Sequence, residues 1–379
     1  MLFDYETLRV IWWLLLGVLL IGFAVMDGFD MGVAMLLQLM TESDTERRIL
    51  INSVGPVWEG NQVWFILGGG AIFAAWPPLY ATAFSGFYIA MFLILAALIL
   101  RPVGFKFRSK LEEPRWRATW DWALFIGGAV PALIFGVAVG NVLQGVPFHF
   151  NEDLLPVYEG GFFGLLNPFA LLCGLLSVSL LLTQGAAYLA IKTEAPLRDR
   201  AARWVLRGGA VSTLLFALGG VWLALGIAGY AISGEIDVNG PSNPLVKQVV
   251  QEDGAWLRNY GAQPWTLLAP LLGFAGLLGA MVLALLRRPM SAFIASSVAI
   301  FGVISTVGLS MFPFILPSST EPGSSITVWD GSSSHLTLQV MLIATAIFMP
   351  IVIAYTSWVF RVLRGPVTEE SVSGNDQAY

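Results

Sequence analysis

Glu59 sits in the run Trp58-Glu59-Gly60-Asn61-Gln62-Val63-Trp64, a carboxylate and two amides held between tryptophans inside an apolar stretch. Upstream, Asp27 and Asp30 interrupt another apolar run three residues apart. That spacing puts both acids on one face of a helix. Arg101 and Asp121 stand at the edges of two further apolar runs. Carboxylates are costly to bury in lipid and tend to face a cavity, a partner group or a proton path. Several of them in a low-dielectric medium cannot all ionise together, and such groups are suited to passing protons. A structural reading stands beside this one. Asp27-Gly28-Phe29-Asp30 could mark a local helix break whose freed amides the acids satisfy, and Arg101 with Asp121 could be an interfacial ion pair. Trp64 reads as a packing residue, and Trp12 and Trp13 as interface anchors.

The chain around these residues needs lipid as its solvent. Its 379 residues are 56% hydrophobic and 12% charged, against roughly 25% charged in soluble domains. Mean hydropathy is +0.74. The few charges are sorted by membrane side, so no basic face is available for nucleic acid. A single cysteine, Cys173, excludes an internal disulfide and any cysteine-built metal site. No G-x-x-x-x-G-K-[ST] loop, zinc-ligand spacing or catalytic triad occurs. Gly68-Gly69-Gly70 reads as a close helix-packing surface, not a phosphate loop. The opening MLFDYETLR lacks the marks of a signal peptide and is expected to be retained.

A spanning helix takes ~20 mostly apolar residues. Nine segments qualify: 11–39, 50–75, 79–100, 119–146, 162–191, 205–231, 265–286, 291–314 and 337–362. The expected fold is an all-α polytopic membrane protein, with one transmembrane domain over 1–364 and a polar cytoplasmic tail over 365–379, mobile from Thr368. Of the 20 basic residues, only Arg9, Lys247 and Arg258 fall outside the connections that alternate to one side. The positive-inside rule then puts the C-terminus in the cytoplasm and the N-terminus outside. The outer connections differ in kind: 147–161 is acidic, 232–264 is long and turn-rich, and 315–336 is polar.

Helical rise sets the expected depths. Asp30 falls about 14 Å above the cytoplasmic boundary, Asp27 about 18 Å, and Glu59, counted from Leu50, about 14 Å. The expected proton path is a rising series: Asp121, then Asp30 with Glu59, then Asp27. His149 and His335 both fall in or beside outer loops. Haem iron takes axial ligands such as His, Met or Cys, so the chain offers no histidine ligand at mid-membrane. No haem ligand, metal ligand or catalytic residue is assigned in this chain.

Several long strings carry a resemblance: DYETLRVIWWLLLGVLLIGFAVMDGFDMG, DTERRILINSVGPVWEGNQVWFILGGGAIFAAWP, FSGFYIAMFLILAALILRPVGFKFRSK, RWRATWDWALFIGG, GNVLQGVPF, MFPFILPSS and SSSHLTLQVM. Over essentially its full length the chain resembles subunit II of the cytochrome bd quinol oxidases. The resemblance implies a complex in the bacterial inner membrane that oxidises quinol and reduces O2 to water. It takes protons for water from the cytoplasm and releases quinol protons outside. Two haems b and one haem d belong to subunit I, the partner of this chain, and small single-helix subunits join them. Subunit II is implied to form two four-helix bundles plus one extra helix, and some members hold a structural quinone in it. The acid after Trp58, here Glu59 where relatives can carry Asp, matches the family's proposed cytoplasmic proton path at the subunit interface. Trp64 matches the tryptophan near the proposed lateral oxygen entry. Trp58, Arg101, Asp30 and Asp121 match characteristic positions, for which a structural role stays open.

The alternative is a proton-coupled secondary transporter. Such proteins usually show inverted repeats with paired broken helices, and Asp27-Gly28 has no acidic counterpart, the nearest match being Thr183-Gln184-Gly185. A purely structural membrane scaffold is a third reading, against which the buried acids weigh. The resemblance favours the oxidase subunit.

Overall fold

The computed structural model of the protein describes residues 3–373. In a medium without water a backbone must satisfy its own amides, so the long apolar runs fold as helices. In chain order these are α1 (Tyr5–Met40), α2 (Asp44–Val54), α3 (Trp58–Ala75), α4 (Pro77–Gly86), α5 (Tyr88–Phe107), α6 (Pro114–Gln144), α7 (Pro168–Lys192) and α8 (Leu197–Gly226). They continue with the short α9 (Arg258–Ala262), α10 (Leu268–Leu285), α11 (Pro289–Met311), α12 (His335–Val362) and the short α13 (Glu369–Ser373). Among the described residues, eight helices are long and apolar enough to cross a membrane singly, and α3 with α4 makes a ninth span if the bent pair is counted as one. The all-α polytopic architecture is the one expected.

The second and third spans are cut differently from the expectation. Segment 50–75 is two helices, because Pro56 has no amide to carry the hydrogen-bond ladder onward. The amphipathic α2 begins at a Ser43 cap that accepts from the Glu46 amide, while the Glu46 carboxylate reaches back to the Glu42 amide. At Trp76-Pro77-Pro78 two successive amide donors are missing, and α4 leaves α3 at 119°. Ser333 takes up carbonyls left open there: its hydroxyl donates to Ala74 at 2.5 Å and its amide to Ala75 at 2.7 Å. Segment 79–100 accordingly divides between α4 and α5, and α5 runs on to Phe107.

Helix α1 packs on α3, α6 and α7 and also touches α11 and α12. A second run of contacts joins α7, α8, α10 and α11, and α5 attaches through α6. Helix α12 is marginal: 6% of its most apolar window is buried, against 56% for α7, so most of its surface is left for lipid or a partner. The α1–α7 crossing is close because glycines meet there. A Cβ on Gly32 would stand 2.9 Å from the Gly185 Cα. Gly32→Val is expected to cost about 1–3 kcal/mol by overpacking, read as a lower melting midpoint of the purified complex. An unchanged midpoint would contradict a tight crossing. Gly68, Gly69 and Gly70, expected to be a packing surface, have nothing within 4 Å of a Cβ. Gly70 is exposed, Gly69 half-buried and Gly68 buried, and none of the three makes a close helix crossing.

One end of the molecule carries three antiparallel hairpins: β1 (Phe148–Phe150) with β2 (Pro156–Tyr158), β3 (Ala228–Ile232) with β4 (Val249–Asp253), and β5 (Phe314–Leu316) with β6 (Ile326–Thr327). The three basic residues set apart by the sequence are all engaged here. Arg9, fully buried, donates to Ser332, Ser242 and the carbonyls of Val238 and Gly240. Lys247 pairs with Asp330 at 2.7 Å. Burial pulls its ammonium below the usual lysine range, against the opposing charge of Asp330. Arg258 pairs with Glu252. Trp12 is buried and donates its indole N–H to the Leu338 carbonyl at 2.9 Å, so it belongs to the core and is not an interface anchor. Trp13, half-buried, packs its ring edge on Phe312.

The tail also departs from the expectation of a mobile segment. The Val367 amide donates to the Lys192 carbonyl at 2.8 Å, and the Lys192 ammonium donates to carbonyls of Leu363 and Gly365. Helix α13 folds against α2 and buries Val372, whose carbonyl accepts from Arg48 at 3.3 Å. One apolar side chain in a polar sequence thus docks the segment. Residues 374–379 of the expected tail lie outside the described residues.

Candidate functional site

The helices bring together a buried charge cluster from α1, α5 and α3. Asp27 and Arg101 form a two-pronged ion pair, with Nη2 to Oδ1 at 2.7 Å and Nη1 to Oδ2 at 3.1 Å. Asp30, one turn along α1, lies 4.0 Å from the same guanidinium and accepts from the Asn61 amide at 2.9 Å. All four side chains are buried. Gly127 on α6 makes room for the arginine, since a Cβ there would stand 2.8 Å from the Arg101 Cγ. The forked geometry suits arginine alone among the cations. Asp30 Oδ1 and Arg101 Nε have no hydrogen-bond partner. Asp30 therefore has one oxygen held by Asn61 and one without a partner.

Asp121 is not Arg101's partner. It is fully buried between Arg108, at 2.5 and 3.2 Å, and Arg47, at 3.1 Å. Asp44 extends the lattice to Arg108 and Arg117, each at 2.7 Å. This lattice ties the start of α2, the end of α5 and the start of α6. Sequence reading closed α5 at residue 100 and so matched Arg101 with Asp121. The helix runs about two turns further, which raises Arg101 to Asp27 and delivers Arg108 to Asp121.

Glu59 corrects the expected rising series in another way. Because Asn61 meets Asp30, the first turn of α3 stands near the level of Asp30, the expected level, although the break at Pro56 means that no continuous helix from Leu50 puts it there. The Glu59 side chain, however, points outward: it is 67% exposed and lies 3.5 Å from Lys106, also exposed. The intended line of four acids is thus an inner pair held by Arg101, a locked acid at Asp121 and a surface acid at Glu59. Trp58 faces inward, buried against Phe105 with ring centroids 5.5 Å apart. Trp64 is half-buried with its ring over Gly22 of α1, where a Cβ would come within 2.6 Å. Sequence reading missed Arg108. It also missed Tyr188, whose hydroxyl donates to the Ser53 carbonyl at 2.8 Å and whose ring stacks on Phe29 at 4.1 Å. The aromatic type of Tyr188 was the available signal, though nothing local marks it off from core.

Neither histidine is placed as a mid-membrane haem ligand. His149 is in the β1 strand, 3.0 Å from Glu159, and His335 opens α12 with Nε2 2.8 Å from the Phe3 carbonyl. Both histidines of the chain stand at the hairpin end, His149 in a strand and His335 at the first residue of α12. Among the described residues, no group of three or more His, Cys, Asp or Glu could hold a metal ion.

Comparison with known proteins decides the family. A family profile described as cytochrome bd terminal oxidase subunit II matches residues 8–363. The chain is 52% identical over 374 residues to the Escherichia coli K12 protein named cytochrome bd-I ubiquinol oxidase subunit 2, covering 98% of both chains. It is 52% identical over 373 residues to a probable cytochrome oxidase subunit 2 of Haemophilus influenzae, again covering 98% of each. It is 30% identical over 370 residues to the Bacillus subtilis cytochrome bd ubiquinol oxidase subunit 2, covering 96% of this chain and 98% of that one. In fold it matches a chain of the bd oxidase structure from Geobacillus thermodenitrificans, with a TM-score of 0.69 at 18% identity over 94% of this chain and 98% of the other. A transporter would not be expected to match one oxidase subunit from end to end, and the chain belongs to the cytochrome bd terminal oxidase subunit II family.

Proposed function

We propose that this chain is the haem-free subunit of a bacterial inner-membrane ubiquinol oxidase. It braces the haem-bearing subunit I and supplies part of the complex's cytoplasmic proton route and oxygen access. The observation that carries the reading is the end-to-end match to relatives named as ubiquinol oxidase subunits. The placement of both histidines at the hairpin end supports assigning the haems b and the haem d to subunit I. The outward α3 surface and the largely uncovered α12 support a broad contact with that partner. Small single-helix subunits would add at the remaining margins, and a structural quinone is a further expectation from the family.

Glu59 is proposed as the carboxylate that receives a proton at the surface of α3, where subunit I would cover it. Asp30, with its open oxygen, is the inner group to which a proton can pass, and Asp27 is held by Arg101 as its fixed electrostatic neighbour. Asp121, gripped by two arginines, is assigned to holding the helix ends in place. Trp64, wedged on Gly22, would shape the lateral oxygen entry.

The purified complex should consume O2 with ubiquinol as donor. Trp64→Ala should change the oxygen dependence of turnover more than its quinol dependence, by about threefold or more in apparent KM for O2, on the order of 0.6 kcal/mol. Equal shifts in both would remove Trp64 from the gas route. A complex inactive with ubiquinol would overturn the donor assignment.

A further inference from the structure

We infer that the basic pocket between the end of α1 and the start of α8 holds the headgroup of an anionic phospholipid. The pocket has a volume of about 200 Å³ and is lined by Leu39 and Met40 from α1 and by Arg200, Arg203, Trp204 and Arg207 from α8, with Thr41 and Glu42 at its edge. Arg200 is already committed. It donates to the Met40 carbonyl at 2.8 Å and pairs with Glu42 at 3.2 Å and with Glu46. Burial opposes ionisation of Glu46, but the hydrogen bond and charge of Arg200 outweigh it and hold that carboxyl below its usual range. Glu42 at the pocket edge and the neighbouring Glu46 are thus both directed at Arg200.

Arg203 and Arg207 are exposed and have no carboxylate partner among the described residues. They share a helix face by their spacing, and Arg207 lies 5.4 Å from the centre of the Trp204 ring. Two open guanidinium forks favour a phosphate group, and an indole beside them marks the headgroup level of a membrane. The same face of α8 continues upward as Val211, Leu214 and Leu218, all exposed. From Arg207 to Leu218 the rise is about 16 Å, close to one leaflet of a ~30 Å hydrocarbon core. Cations, indole and an apolar track of leaflet length together match a phospholipid. A free phosphate would use only the first of the three. Basic pockets at the cytoplasmic ends of helices recognise anionic headgroups through this combination of charge and depth.

The test uses the whole purified complex, stripped of lipid in detergent and titrated with phosphatidylglycerol or phosphatidylcholine, with bound lipid counted by native mass spectrometry. Phosphatidylglycerol should occupy a saturable site that phosphatidylcholine does not fill. Each near-surface arginine contributes roughly fivefold to such binding, so Arg203→Ala with Arg207→Ala should weaken it by about 30-fold. Arg203→Lys with Arg207→Lys should retain most of it. Equal binding of the two lipids, or an alanine double variant that binds as the wild type does, would overturn the inference. Displacement of phosphatidylglycerol by millimolar inorganic phosphate would reassign the site to a free anion and also overturn it. If the double variant assembles poorly, the two-lipid comparison on the wild-type complex decides alone.

Discussion

Arg101→Ala should abolish the yield of intact complex. Among the described residues the guanidinium is the only cation paired with Asp27 and Asp30, and removing it leaves two acids buried with a single amide, that of Asn61, to satisfy them. Breaking a buried pair by deleting one partner costs about 3–5 kcal/mol, a large part of the roughly 5–15 kcal/mol by which a folded domain is stable. Arg101→Lys should recover little, because an ammonium cannot reproduce the two-pronged contact. The double change Arg101→Leu with Asp27→Leu should recover more than either single change, since only Asp30 then remains to be accommodated. Quantifying the complex after gentle extraction tests this. Normal yield from Arg101→Ala would show that the cluster does not hold the helices together.

Glu59→Ala should slow quinol-driven oxygen consumption by about tenfold, equivalent to about 1.4 kcal/mol in the barrier, while the haem spectrum stays as in the wild type. The side chain is exposed and makes one long contact to Lys106, so its loss removes little structure. A strong effect on turnover without an effect on assembly is therefore diagnostic of a role in proton delivery. Glu59→Asp should be mild, because it keeps the carboxylate. Full turnover in Glu59→Ala would take Glu59 out of the proton route. Arg101 and Glu59 thus separate by readout: one variant is read in yield, the other in rate.

Much of the architecture was legible in the sequence because hydropathy in lipid is a strong constraint. The long apolar helices, the polar connections gathered at one end and the isolated acids of α1 all follow from it. What escaped was set by single residues that hydropathy does not weigh. Pro56 and the Trp76-Pro77-Pro78 elbow divide apolar runs that look continuous. The extra turns of α5 beyond Arg101 carry basic residues and so read as a loop, yet they are helical and determine which acid each arginine meets. The common level of Asn61 and Asp30 was recoverable and the direction of Glu59 was not. Which way Glu59 points depends on packing of α3 against α1, which the residue order alone does not show. The docked tail turns on Val372 and on backbone contacts to Lys192 that hydropathy does not weigh.

If this chain is the haem-free partner of a haem-bearing subunit I, the haem must follow that subunit when the two are parted. The most direct measurement is a reduced-minus-oxidised spectrum of the complex purified through a tag on this chain, repeated after the chains are separated. Haem b and haem d bands should be present in the complex and should leave with the partner subunit, while the tagged chain retains none. Haem bands that stay with the tagged chain would contradict the assignment of the haems to subunit I. A tagged chain that purifies alone, without haem or partner, would contradict the oxidase role itself.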